Sequence, residues 1–185
     1  MKNENNIKYV SGVFLTLLSI IIFISMLSFF FSWSSDQSEI KTIFDSSSEI
    51  KNIGKKFGLL ISYYMIYKGF GLGAILIPSL MFLVGISLTF NSGLDKILSR
   101  SIFLLLSMVW ISLFSSYIFS NNIYGGIFGH EIKSIIIEFM GDLGLISILV
   151  FGFISFLIIK FKITPVFLLR LVTVSYTHLT LPTSR

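Results

Sequence analysis

The sequence predicts an all-α integral membrane protein with four transmembrane helices, N-in and C-in, and three observations carry that expectation. Apolar residues make up 54% of the 185-residue chain and charged residues 12%, with a mean hydropathy of +0.90, whereas a water-soluble domain usually carries about 25% charged residues. The apolar residues gather into long runs, as a hydrocarbon core that takes about 20 residues to cross requires. The 14 Lys and Arg lie in short segments between those runs, so the net charge of +5 does not form a basic stripe of the kind that binds nucleic acid. Cysteine is absent, which excludes disulfides and thiolate-ligated metals.

Residues 10–31 form the first span, uncharged and preceded by Lys2 and Lys8. A cleaved signal peptide has an apolar stretch of about 7–15 residues that ends in small side chains. This run is longer and ends in Phe29-Phe30-Phe31 with Trp33 beyond, which predicts an uncleaved anchor with Trp33 at the far interface. Residues 32–56 are a polar loop of mixed charge around Ser46-Ser47-Ser48. Apolar character resumes over 57–90, interrupted only by Lys68. One straight helix of that length would measure roughly 50 Å at about 1.5 Å per residue, against a core of about 30 Å. Gly69, Gly71 and Gly73 offer a break. The sequence therefore predicts an outer-face interfacial segment over 57–70 and the second span over 72–90, with Lys68 snorkelling into the headgroups and Pro78 inside the span, where it could kink it.

After a short turn with Asp95, Lys96 and Arg100, the third span covers 101–119. In 120–142, Ile132, Ile135, Ile136, Phe139 and Met140 recur at helical spacing, with Glu131, Lys133, Ser134 and Glu138 between them. That is an amphipathic helix, expected to lie in the membrane interface. The fourth span is 143–159, stopped by Lys160, Lys162 and Pro165. Lys and Arg favour the side bearing both termini, which sets the orientation. Phe57-Gly58 to Gly71 and Phe128-Gly129 to Gly141 echo one another; this is either a repeated hairpin or coincidence in a chain rich in Gly and Phe. From Ser175 the character changes, and residues 172–185 are expected to be a tail foreign to a native domain of residues 1–171.

Catalytic patterns are incomplete. His130-Glu131 lacks the second histidine of a zinc-protease helix, since Ser134 stands there. Gly54-Lys55 lacks the rest of a phosphate-binding loop. No span holds a carboxylate, which disfavours ion-coupled transport. Gly85, Ser87, Ser107, Ser112, Ser115 and Ser116 are either close helix contacts or ordinary membrane-helix composition. No catalytic, cofactor-binding or metal-binding residue is expected.

Several features together resemble the N-terminal four-helix membrane domain of the FtsK/SpoIIIE DNA translocases. Leu27-Ser28-Phe29 leads to Trp33-Ser34-Ser35-Asp36-Gln37-Ser38, similar to the family's Ser-Phe, Asp and Ser beyond its first helix. Asn52-Ile53-Gly54 with Gly58 resembles its Asn-x-Gly-Gly-x-x-Gly lead into the second helix, with Lys55 where the second glycine is usual. Tyr67-Lys68-Gly69-Phe70-Gly71 and Pro78 resemble its Phe-Gly and mid-helix Pro. Tyr124-Gly125-Gly126-Ile127-Phe128-Gly129, with Gly141 and Gly144, resembles its lead into the fourth helix. The resemblance implies structural roles for these residues and a multi-pass anchor in the bacterial cytoplasmic membrane. It further implies a truncation before a hexameric ATP- and Mg-dependent motor that alone binds DNA, and cell-division proteins as partners. A small pore or permease subunit of an unrelated family is the alternative.

Overall fold

Helix α1 (Lys2–Asp36) contains the whole of the first predicted span and continues beyond it at both ends. The computed structural model describes residues 2–44, 49–91 and 95–161, and no strand occurs among them. The expectation of a foreign tail over 172–185 lies outside the described residues. Past α1 a 3-10 turn, Ser38–Ile40, leads into the loop. Helix α2 (Lys55–Ser62) then passes into a π-helical stretch, Tyr63–Phe70. A 3-10 stretch, Gly71–Ile75, precedes α3 (Leu76–Thr89). Helix α4 (Asp95–Ile118) is uninterrupted, and α5 (Asn122–Phe161) is 40 residues long. Among the described residues, four stretches are long and apolar enough to cross a membrane.

Two of those stretches, residues 55–89 and 122–161, are broken by glycine. The break predicted at 69–73 is present: Gly69 (φ −92°, ψ −121°) and Gly71 (φ 56°, ψ −130°) both leave helical geometry. In α5 the breaks are Gly126 (φ 71°, ψ 161°) and Gly141 (φ 68°, ψ −177°). They set off the amphipathic segment 127–140 from a final piece, 142–161, about 30 Å long at 1.5 Å per residue, which matches a hydrocarbon core.

Two expectations are corrected. Trp33 does not face the headgroups as an interfacial anchor; it is 7% exposed, because the returning segment stacks Tyr63 and Tyr67 on its indole at centroid distances of 6.0 and 4.7 Å. Pro78 does not kink a span. It lies in the first turn of α3, where helical N–H groups lack intrahelical partners and a missing donor removes nothing; the bend is upstream, at the glycines.

The spans pair as two hairpins. In the first, α1 and α3 meet through Gly12 with Thr16 and Gly85 with Thr89. A Cβ on either glycine would overlap the facing backbone, so small residues four apart let the two helices approach closely. The threonine hydroxyls bond within their own helices, Thr16 to Gly12 O at 2.8 Å and Thr89 to Gly85 O at 2.9 Å. In the second hairpin, Leu113 of α4 packs with Leu145 and Leu149 of α5. Trp110 Nε1 donates to Leu149 O at 3.1 Å, and its ring covers Gly152 between Phe114 and Phe153. Trp110→Phe keeps an aromatic ring but removes that donor, and is expected to cost about 1 kcal/mol. Thermal unfolding of the detergent-solubilised protein checks this; an unchanged midpoint would contradict it.

Candidate functional site

Asp36 ends α1, where a carboxylate faces the negative end of the helix dipole, and it is fully buried. Such a group needs compensating donors, and the loop supplies them. Oδ1 accepts the Lys51 N–H at 2.8 Å and Oδ2 the Asn52 N–H at 2.9 Å. Asn52, also fully buried, passes the link on: its Nδ2 donates to Ser25 O at 2.9 Å, and its Oδ1 accepts the Gly54 N–H at 2.8 Å. Ile53 N–H donates to Ser28 Oγ at 3.0 Å. The loop therefore runs back along α1 and starts α2 beside Ser25. A side chain on Gly54 or Gly58 would run into Ser25, and one on Gly58 into Asn52 Oδ1 as well. Asp36, Asn52, Gly54 and Gly58, singled out separately in the sequence, meet in one clasp.

The clasp also accounts for Lys55. Its φ is 50°, in the left-handed region that disfavours side chains. Lys55 Nζ donates to Ile50 O at 3.2 Å, which offsets part of the strain. Lys55→Gly is expected to stabilise the protein by up to about 1 kcal/mol, seen as a raised unfolding midpoint; a lowered midpoint would mean that the Ile50 contact outweighs the strain.

Past the clasp, Phe29, Trp33, Tyr63 and Tyr67 form an aromatic cluster over buried Leu59 and Ile66, which fastens 55–70 to α1. The chain then reaches the point where the hairpins touch. A Cβ on Gly71 would collide with Tyr124 O and Gly125, and one on Gly126 with Gly69 O and Gly71 N. The break of one hairpin thus lies directly on the break of the other. Phe70 and Phe128 close the contact at 4.5 Å between ring centroids.

The second hairpin repeats the device of the first. Gly125 and Gly129 press on Ser116 and Ser112 of α4, as Gly54 and Gly58 press on Ser25. Ser112 Oγ donates to Gly125 O at 2.7 Å, and Ser116 Oγ lies 3.0 Å from Gly129 O and 2.7 Å from Leu113 O. Lys133 Nζ donates to Ser116 O at 2.8 Å. The echo in the sequence therefore has a shared packing basis at its start. It fades at its end: Gly71 is in tight contact, whereas nothing lies within 4 Å of a Cβ on Gly141. A Cβ on Gly144 would meet the Met140 side chain across that bend.

These polar groups answer one another, and the arrangement holds shape. Among the described residues no three His, Cys, Asp or Glu gather as metal ligands, and His130 Nε2 is buried without a hydrogen-bond partner. Ser25 and Tyr63 were not singled out in the sequence; Ser28 and Tyr67 appeared there only inside the family-like motifs, and Trp33 also as an interfacial anchor, none with a partner assigned. The four-residue spacing of the two tyrosines is the one signal pointing to a shared face.

The profile of a protein family described as "4TM region of DNA translocase FtsK/SpoIIIE" matches residues 4–173. No curated protein and no solved structure matches the chain.

Proposed function

The chain belongs to the four-transmembrane family of the FtsK/SpoIIIE DNA translocases, and from this we propose that it is the module that anchors such a translocase in the bacterial cytoplasmic membrane and targets it to the division site. The observation that carries the proposal is the family match over residues 4–173 on a multi-pass helical fold. The buried Asp36 and Asn52 side chains, bonded to the backbone, add support: they fasten the segment between α1 and α3, as suits an anchor. Translocation would belong to a cytoplasmic motor that uses ATP and magnesium and is the part in contact with DNA. The membrane module would assemble with copies of itself, as a hexamer, and with cell-division proteins, so that chromosome segregation is coupled to closure of the septum.

A fluorescent fusion of residues 1–171, expressed in dividing bacteria, tests the proposal. Enrichment at the septum over the lateral membrane is expected; an even distribution around the cell would overturn the targeting role.

A further inference from the structure

The polar clasp and glycine crossing lie toward the end of the bundle predicted to face outward; the opposite end carries a cleft of different character. Leu83, Arg100, Phe103, Leu104, Ile159 and Lys160 line a cavity of about 350 Å³ where α3, α4 and α5 converge. Two of these six side chains are cationic and none is a carboxylate. Both cations are exposed, and Lys160 Nζ sits 5.9 Å from the centroid of the Phe103 ring. Phe103 and Ile159 also line a second cleft, of about 360 Å³, between α4 and α5, which extends to Trp110 and Gly152. From Phe103 to Trp110 the groove follows about 10 Å of helix at 1.5 Å per residue. Its lining is almost wholly apolar and aromatic.

We propose that these joined clefts bind one anionic phospholipid, with its phosphate between Arg100 and Lys160 and an acyl chain along the Phe103–Trp110 groove. The charges select the headgroup. A guanidinium and an ammonium attract a phosphate diester, whereas the positive choline of a zwitterionic lipid would face two cations. The groove selects a lipid over a soluble phosphate, because an apolar channel contributes nothing to a ligand without a chain. Arg100 is in the first turns of α4 and Lys160 in the last turn of α5, so both cations stand at headgroup depth. Basic pockets between transmembrane helices at the cytoplasmic surface are suited to anionic headgroups.

The test uses the full chain, reconstituted in phosphatidylcholine vesicles doped with phosphatidylglycerol, re-extracted in detergent, with the retained lipid measured by mass spectrometry. Wild type is expected to retain phosphatidylglycerol selectively and to unfold at a higher temperature in its presence. The R100Q/K160Q double variant should retain roughly 30-fold less, the fold-change that two such basic contacts are worth together. Its midpoint in pure phosphatidylcholine should stay close to wild type, because both positions are exposed and the variant loses only the surface contact of Lys160 with Phe103. K8Q removes a cation on the same predicted side but away from the cleft and should retain lipid as wild type does. Equal retention by the double variant, equal retention of phosphatidylcholine by wild type, or displacement of the bound lipid by glycerol phosphate would each overturn the proposal.

Discussion

Gly126→Ala is expected to destabilise the protein by about 2–6 kcal/mol, a large fraction of the roughly 5–15 kcal/mol that stabilises a typical domain. Two effects add. The backbone at Gly126 has φ 71° and ψ 161°, a region open essentially to glycine alone, where a side chain costs about 1–3 kcal/mol. The new Cβ would also meet Gly69 O and Gly71 N, and overpacking of this kind costs a further 1–3 kcal/mol or so. Because the obstructed atoms belong to the other hairpin, the substitution should force the hairpins apart. Gly141→Ala separates the two effects: Gly141 has φ 68° and ψ −177° but open space around its missing Cβ. It should show the strain alone, about 1–3 kcal/mol. Unfolding in detergent measures both. Equal losses at the two positions would mean that contact between the breaks does not hold the hairpins together.

Asp36→Ala is expected to cost about 2–5 kcal/mol. It leaves the buried Asn52 amide and the part-buried Lys51 amide without their acceptor; a buried donor left unsatisfied costs about 1–3 kcal/mol, and the partly exposed one and the lost packing add the rest. The loss should be local first. Amide hydrogen exchange at Lys51 and Asn52 should accelerate well before exchange in α4 or α5 changes. Asp36→Asn retains one acceptor oxygen and should fall between wild type and alanine. Unchanged exchange at both amides in Asp36→Ala would show that the loop is held by something other than the clasp.

These two sites differ in how far the sequence announced them. The break near Gly71 was legible because two simple lengths conflict: a run over 57–90 as one helix is too long for a bilayer, and glycines mark where it gives way. The segment 127–140 was legible from its period. Gly126 and Gly141 were named, but nothing in the sequence says that one packs against a neighbouring hairpin while the other stands in open space. Asp36 and Asn52 were named by resemblance, whereas Ser25 was not. Its role depends on the loop folding back along α1, a long-range consequence with no local pattern. Trp33 was misplaced because its interfacial preference describes an average lipid-facing tryptophan, and here Tyr63 and Tyr67 offered a better surface. Pro78 was misjudged because its effect depends on its position within a helix whose start is fixed by the glycines before it.

The proposed role requires a four-span fold with both ends on the cytoplasmic side, where a DNA motor would have its substrate. The chain has no cysteine, so single cysteines report location without background. In intact cells, S38C and E131C are expected to react with a membrane-impermeant maleimide, and D95C only after permeabilisation. Labelling of D95C in intact cells, with S38C and E131C protected, would put the segment after α5 outside, away from the chromosome, and contradict the account.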